Sequence, residues 1–351
     1  MICPSHNMST QDRDAGVPIT VLPESGLQHV RLLELPPELL ALLTGESPPR
    51  LQLKAKEDLA GNAKDANVVL CTPDRTYHIR QVSTSNSVYL TQTTEKQDPG
   101  GGPPEIGVEA VAKCDTTIEL LSTTKQSAVP FIKAALPVYS SNGNYGSAAS
   151  FTKTDLFHHI PLSQAECEES WSELACFESQ DPHGCYVPSA KVKAEIWQLA
   201  VTAATADGIN LTDPFPASDL PAFAMDICQD WPPELVSSVL KGASNVTPGG
   251  HFAIDETKAV RFAGLNLLQA KSEGRAIEAT GFLRAWRDLL PEASRGKCEF
   301  AALQGFYALQ DGGSMIKYID SAPATIATTE SKSLGAKRKW HEKFAASRKK
   351  T

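Results

Sequence analysis

The spacing of hydrophobic residues changes part-way along the chain and divides it into two regions. Between residues 51 and 122, apolar and polar positions alternate over short runs such as LQLKA, NVVLC, YHIRQV and SVYL. A period of two predicts β-strands, and the intervening TPD and TSN segments are typical of tight turns. A short helical run, ELLALL, precedes these strands and ends at Gly45. We therefore predict an antiparallel β-domain, a partial barrel, over residues 27–136.

The second region is predicted to be mainly helical, because its apolar spacing approaches 3.6 residues. A loop rich in Ser, Gly and Asn at residues 137–150 marks the boundary and is interpreted as a linker. Beyond it, a weak repeat of roughly 62 to 65 residues combines two helices with a short strand or hairpin. This order is typical of a winged helix, a variant of the helix-turn-helix. The predicted winged-helix-like modules are residues 151–215, 216–280 and 281–330.

The predicted fold class is thus α+β and multidomain, with the partial barrel followed by tandem winged-helix-like modules. Residues 1–26 are polar and unpatterned, so we expect them to be disordered. Residues 331–351 form a basic tail. Near the start of the first module, Ser163 and Glu166 have the spacing of a capping box at a helix N-terminus.

Charge is distributed unevenly. The net charge is −8, but the last 20 residues contain eight Lys or Arg and one Glu, so the rest of the chain is strongly acidic. An acidic body binds DNA poorly, because affinity for a polyanion comes from Lys and Arg that displace its counterions. We expect any DNA contact or nuclear-import signal to lie in the tail, at Lys337, Arg338, Lys339, Lys343, Arg348, Lys349 and Lys350.

The predicted helix after Ser163 is also acidic, which bears on what the modules bind. In winged helices that read DNA, the second helix presents Arg, Lys, Asn or Gln to the bases. Here that helix carries Glu166, Glu169 and Glu173 and no Lys or Arg. Phosphate would repel such a surface, so these three residues are predicted to bind protein partners instead.

No pattern in the chain predicts an active site, a cofactor or a metal. A phosphate-binding loop, a nucleophile elbow and an H-E-x-x-H motif are all missing. The eight cysteines include no C-x-x-C pair and no His at zinc-ligand spacing. No apolar run approaches the roughly 18 to 20 residues that span a bilayer, so no membrane contact is expected. We expect a protein that is not an enzyme.

Two blocks, RLLELPPELLALL and VVLCTPDRTYHIRQVSTSNSVYL, give the chain a recognisable resemblance. Together with TDLFHHIPLSQAE, FLRAWRDLLPE and KRKWHEKF, they closely resemble the sister chromatid cohesion DCC family. That family is the small accessory subunit of the alternative replication-factor-C clamp loader. The resemblance covers roughly residues 27 to 345 and is looser after residue 240.

The resemblance implies a set of partners. In the family, the β-domain joins a very small accessory subunit and the C-terminal end of the large AAA+ subunit in a shared triple barrel. The winged-helix modules dock the complex on the catalytic subunit of DNA polymerase epsilon, and can contact DNA. The complex loads or unloads the ring clamp PCNA and supports cohesion, so PCNA is an indirect partner and a nuclear, chromatin-associated location is expected. Other members continue with a helical segment after the Lys-Trp stretch, so the third module is expected to be shortened here.

Two functions from different classes remain open at this point. In the first, the chain is a scaffold subunit whose β-edges pair with partner strands, because an uncovered edge promotes aggregation. The second is a winged-helix DNA-binding regulator that uses the basic tail. The residues predicted to meet the partner strands are Arg75, Tyr77, Ile79, Val82, Val88 and Leu90.

Overall fold

The computed structural model shows a mixed α+β protein that divides into two compact units. It describes residues 17–23, 26–56, 67–96, 105–122, 124–141, 152–180, 183–227, 230–246 and 250–320. Unit 1 comprises residues 1–128 and 153–170, and unit 2 comprises residues 129–152 and 171–351.

Unit 1 is built on a curled, open sheet that forms a half-barrel. Its strands are β1 (Ile19–Val21), β2 (Leu32–Glu34), β3 (Gln52–Lys56), β4 (Asn67–Cys71), β5 (Thr76–Lys96) and β6 (Glu105–Ser122). The order across the sheet is β1-β6-β5-β4-β3, and β2 also pairs with β6. Strands β3 to β6 form the predicted antiparallel meander, whereas β1 and β2 run parallel to β6.

Two features of this sheet correct the predictions. Residues 1–26 were expected to be disordered, and residues 1–16, 24 and 25 lie outside the described part of the chain. Within this range, however, β1 pairs with Val108–Ala110, because Val17, Ile19 and Val21 supply a short period-two pattern. The TSN segment was interpreted as a turn, but β5 continues through it. The register shifts between Ser83 and Val88, and again between Leu90 and Thr91. Such bulges bend a strand and increase its twist, which suits a curled sheet.

The core of unit 1 lies between the sheet and helix α1 (Pro37–Leu43). Leu39 of α1 is fully buried against Leu70, Tyr77 and Leu120 of the sheet. Pro37 starts the helix at a position where the missing N–H costs nothing. The TPD turn is confirmed, since the Thr72 N–H donates to the Arg75 carbonyl at 2.9 Å.

Two further helices, α3 (Lys153–His159) and α4 (Gln164–Leu174), follow in the chain. The ammonium group of Lys54 on β3 donates to the carbonyls of Phe157, Ile160 and Leu162, at 2.8, 3.0 and 2.7 Å. These carbonyls lie in the last turn of α3 and just beyond it, where a cation is also favoured by the helix dipole. Residues 153–170 are grouped with the sheet in unit 1, and the module predicted at 151–215 stays a prediction.

Unit 2 contains three small sheets and six helices in its described residues. The helices are α2 (Val129–Ala135), α5 (Ala190–Ala206), α6 (Leu220–Ile227), α7 (Pro233–Gly242), α8 (Glu256–Ser272) and α9 (Ala279–Asp288). The strands are β7 (Val138–Tyr139), β8 (Phe177–Gln180), β9 (His183–Pro188), β10 (Phe215–Pro216), β11 (Ser244–Val246), β12 (His251–Ile254), β13 (Ile277–Glu278), β14 (Tyr307–Gln310) and β15 (Met315–Tyr318). Short 3-10 helices cover Ala217–Asp219, Glu292–Lys297, Phe300–Leu303 and Asp311–Gly313.

The same strand arrangement occurs in all three of these sheets. A short strand comes first in the chain and pairs with the second strand of a later hairpin, which gives the orders β7-β9-β8, β10-β12-β11 and β13-β15-β14. The first pairing is parallel and the other two are antiparallel. Strand β7 lies inside the segment 137–150 that was predicted to be only a linker.

Helices α5 and α8 form the centre of the core of unit 2. The Trp197 indole N–H on α5 donates to the Leu289 carbonyl at 2.9 Å, and the Trp286 indole N–H on α9 donates to the Val260 carbonyl at 2.9 Å. Both rings are almost fully buried. A Cβ atom at Gly264 would lie 2.5 Å from the Trp286 ring, so glycine is the residue that lets α9 pack so closely on α8.

Candidate partner-binding surfaces

The half-barrel has open strand edges within its described residues. Strand β4 pairs with β5 only as far as His78, so β5 from Ile79 to Lys96 has a partner strand, β6, on one side only. Strand β3 pairs with β4 alone and ends the sheet. Unpaired N–H and C=O groups along such edges can pair with a strand from another chain.

Exposed apolar side chains accompany these edges. Leu53 on β3 is 69% exposed, and Val88 and Leu90 on β5 are 42% and 38% exposed. On the opposite margin, Ile19 of β1 is 72% exposed. Val88 and Leu90 lie opposite Cys114 and Ala112, so they share one face of the sheet. Apolar side chains of this size on several strands are typical of a protein-binding surface.

The six residues predicted for this surface do not lie together on it. Val88 and Leu90 are exposed as predicted, Arg75 is exposed in the TPD turn, and Val82 is half-buried. Tyr77, at 2% exposure, lies in the core under α1, and Ile79 packs half-buried against that core, so both side chains are used within the protein and their contact with a partner stays a prediction. A period-two pattern separates the two faces of a strand, but it does not show which face the protein itself covers.

Glu166 is also inside the protein, which corrects its predicted role as a surface residue. It is 3% exposed. Its Oε2 accepts hydrogen bonds from the Thr76 hydroxyl at 2.6 Å, the Ser163 hydroxyl at 2.7 Å and the Ser163 N–H at 3.1 Å. Its Oε1 accepts from the Gln126 N–H at 2.9 Å. A buried carboxylate is stable only with such a set of donors, so Glu166 fastens α4 to β5.

The capping box predicted at the start of α4 is confirmed by these contacts. The Glu166 N–H donates to the Ser163 hydroxyl at 3.3 Å, while the Ser163 N–H donates back to the Glu166 carboxylate. Two orphan N–H groups of the helix are thereby satisfied.

The other two glutamates predicted to bind a partner, Glu169 and Glu173, are exposed. Glu169 forms an ion pair with Lys125 at the surface, and Glu168 beside it pairs with Lys153 at 2.7 Å. Glu173 is exposed on the last turn of the helix. Glu169 and Glu173 thus remain candidates for a contact with a basic partner.

A group of arginines in unit 2 was not found from the sequence. Arg284 and Arg287 on α9 and Arg295 on the following 3-10 helix line an open groove of about 440 Å³, together with Thr280, Leu283 and Asp288. The signal was available, because the spacing of three in FLRAWRDLL places Arg284 and Arg287 on one helix face. The large apolar residues of α9, Phe282 and Trp286, lie on its buried face.

The basic tail at 331–351 and its seven predicted contact residues lie outside the described part of the chain. Among the residues that the structure covers, no cluster of three His, Cys, Asp or Glu side chains could hold a metal ion. The helices within those same ranges include none long and apolar enough to cross a membrane.

The chain is similar to a known protein family over most of its length. A family model described as Sister chromatid cohesion protein Dcc1 matches residues 30–328. No curated protein matches the chain. The matched region covers most of the 351 residues and includes all the described strands and helices except β1. The chain therefore belongs to the family of sister chromatid cohesion protein Dcc1, whose members are accessory, non-catalytic proteins with a role in cohesion.

Proposed function

We propose that this protein is a scaffold subunit of the alternative replication-factor-C clamp loader. In this role, its half-barrel pairs with strands of the large AAA+ subunit and of the very small accessory subunit. The complex acts on PCNA at replicating chromatin in the nucleus. The observation that carries the proposal is the open sheet, with exposed apolar side chains at both margins.

Closing this sheet with partner strands is physically favourable. Each Leu, Ile or Val side chain that becomes fully buried contributes roughly 1.5–3 kcal/mol. Leu53, Val88 and Leu90 are each between one third and three quarters exposed, so a partner would bury a substantial part of each side chain. The unpaired backbone of β5 beyond His78 would gain a ladder of hydrogen bonds at the same time.

We further propose that the three repeated arrangements of strand, helices and hairpin are winged-helix modules. The pairing of a first strand with the second strand of the hairpin supports this assignment. Docking to the catalytic subunit of DNA polymerase epsilon would then use an acidic helix face such as that of Glu169 and Glu173. Carboxylates on the second helix suit a basic protein surface and repel DNA phosphate.

Co-expression with the tagged large and small subunits tests the scaffold role. Leu53→Asp and the pair Val88→Asp with Leu90→Asp should abolish co-purification, because a charged side chain would have to be buried in the joined sheet. Leu199→Asp is the matched control, since Leu199 is 45% exposed on α5 and lies outside the sheet. Capture of the edge variants at the level of the unchanged protein would refute the proposal.

A direct contact with DNA is a second candidate, and the arginine groove on α9 favours it. Three guanidinium groups around one groove suit phosphate oxygens, which arginine binds in a bidentate manner. Unlike the regulator predicted from the tail alone, this contact lies on the folded body of the chain.

Fluorescence anisotropy with a labelled duplex separates the two DNA contacts. Arg284→Glu with Arg287→Glu should reduce the slope of log affinity against log salt by about two, because roughly one counterion per phosphate contact is no longer released. Arg275→Glu is the control, being an exposed arginine outside the groove. Deletion of residues 337–351 measures the contribution of the tail. Equal slopes for the groove variant and its control would exclude the groove.

A further inference from the structure

Two segments of the chain carry the same short phosphorylation motif in different structural settings. Ser or Thr precedes Pro at three positions, and two of these have Arg at the third position after the acceptor: Ser47-Pro-Pro-Arg50 and Thr72-Pro-Asp-Arg75. Proline after the acceptor, followed by a basic residue two positions later, is the substrate pattern of proline-directed protein kinases. The two segments are therefore equivalent as sequences, and only their structure distinguishes them.

Thr72 is buried and hydrogen-bonded within the TPD turn. It is 4% exposed, its hydroxyl donates to the Arg75 carbonyl at 3.2 Å, and the same hydroxyl accepts from the Arg75 N–H at 2.9 Å. The Pro73 carbonyl accepts from the Ala165 N–H at 3.0 Å. A kinase binds its substrate as an extended segment with the acceptor hydroxyl facing ATP, so this turn would have to open first.

Ser47 has the opposite setting. It is exposed and follows the end of α1, in residues 45–51, which form neither helix nor strand. Within the described chain, its hydroxyl and backbone N–H make no hydrogen bond. Pro48 and Pro49 also favour the extended backbone that a kinase groove accepts.

We propose that Ser47 is a phosphorylation site for a proline-directed kinase and that Thr72 is protected by the fold. In the transfer, the Ser47 hydroxyl oxygen bonds to the γ-phosphorus of ATP as the bond from that phosphorus to the oxygen bridging to the β-phosphate breaks. The hydroxyl proton passes to the catalytic aspartate of the kinase, and ADP leaves.

The phosphoserine would find a cationic neighbour already in place. Arg50 is exposed three residues away, so it lies within about 10 Å along the chain. Arg50 lines a groove of about 340 Å³ together with Lys54 and His158. A phosphate of charge about −1.5 to −2 can pair with this guanidinium.

The test uses the purified full chain, a purified cyclin-dependent kinase with its cyclin, and labelled ATP. We expect about one phosphate per chain, mapped to Ser47 by tandem mass spectrometry, with Thr72 modified at least about tenfold more slowly because its turn must open. Ser47→Ala should remove the labelling, and Arg50→Ala should reduce it. Thr72→Ser, which retains the hydroxyl of the turn, should leave it unchanged.

Two synthetic peptides, residues 43–55 and 68–80, separate the contribution of the fold from that of the motif. Both should be phosphorylated at similar rates, since neither retains the turn at Thr72. If the kinase modifies neither peptide, or modifies Thr72 in the full chain as fast as Ser47, the proposal is overturned. Labelling of the full chain that persists in Ser47→Ala would overturn it as well.

Discussion

Replacing Glu166 by alanine tests whether its buried carboxylate holds α4 against the sheet of unit 1. The carboxylate accepts four hydrogen bonds, from the Thr76 and Ser163 hydroxyls and from the N–H groups of Ser163 and Gln126. The two hydroxyls can rotate to other acceptors, and the Ser163 N–H also donates to the Thr76 hydroxyl oxygen at 2.8 Å, so the Gln126 N–H is the donor that loses its acceptor. Each buried donor left without an acceptor costs roughly 1–3 kcal/mol. The N–H of residue 166 keeps its bond to the Ser163 hydroxyl in this variant, and with the bonds to both hydroxyls lost we expect a destabilisation of unit 1 of about 2–4 kcal/mol.

Hydrogen exchange followed by mass spectrometry is the suitable assay for this variant. All five tryptophans lie at residue 171 or later, so tryptophan fluorescence does not report on unit 1. Peptides from β5 and β6 near Tyr77 and Leu120 should exchange about 30- to 1,000-fold faster in Glu166→Ala, as the loss of free energy requires.

Glu169→Ala is the matched control, because Glu169 lies on the same helix and forms only an exposed ion pair with Lys125. Such pairs contribute less than about 1 kcal/mol, so exchange in β5 and β6 should stay nearly unchanged. Glu166→Gln should fall between the two variants, since its amide retains one oxygen acceptor. Equal exchange in Glu166→Ala and Glu169→Ala would refute the assignment of Glu166 as the fastening residue.

Three further predictions concern buried groups elsewhere in the chain. Gly264→Ala should lower the urea midpoint of unit 2, measured by tryptophan fluorescence, because the new methyl group would lie 2.5 Å from the Trp286 ring; Gly296→Ala, which meets no atom within 4 Å, should not. Burial, helped by the repulsion of Lys133, lowers the pKa of Lys193 to about 8, against the attraction of Cys176 and Glu173. The folded state therefore binds fewer protons than the unfolded state between pH about 8 and 10.5, so stability should rise with pH across this window. Lys193→Met should flatten this rise in stability. Lys191→Met, which alters an exposed lysine, should leave the rise unchanged. Burial also raises the pKa of the Cys71 thiol, and that of Cys167 to about 12, so both thiols should react with maleimide at pH 7 only after denaturation.

The strands of unit 1 could be predicted from the sequence because period-two alternation and turn residues are local signals. The same alternation assigned Tyr77 and Ile79 to a partner, when α1 covers their side of the sheet. Which face is covered depends on where a helix 40 residues distant in the sequence packs. The count of charged residues on α4 predicted a surface formed by three glutamates. Glu169 and Glu173 are exposed, but Glu166 is buried and accepts hydrogen bonds inside the protein. A count of carboxylates does not show which of them has donors nearby.

The boundary between domains could not be predicted for a related reason. The composition of residues 137–150 indicates a linker, but β7 lies within this segment, and residues 153–170 belong to unit 1. Contacts such as Lys54 with the end of α3 join segments that are more than 100 residues apart. Contacts between segments so distant in the sequence are seen only in the three-dimensional structure, where specific donors and acceptors pair.

The ammonium group of Lys54 has a practical consequence for studies of the half-barrel by itself. A fragment ending at residue 136, as the composition would suggest, deprives this ammonium of all three of its carbonyl acceptors and the Thr76 hydroxyl of its carboxylate. A fragment meant to fold should therefore retain the segment through residue 170, since aggregation of the shorter piece would reveal nothing about its partners.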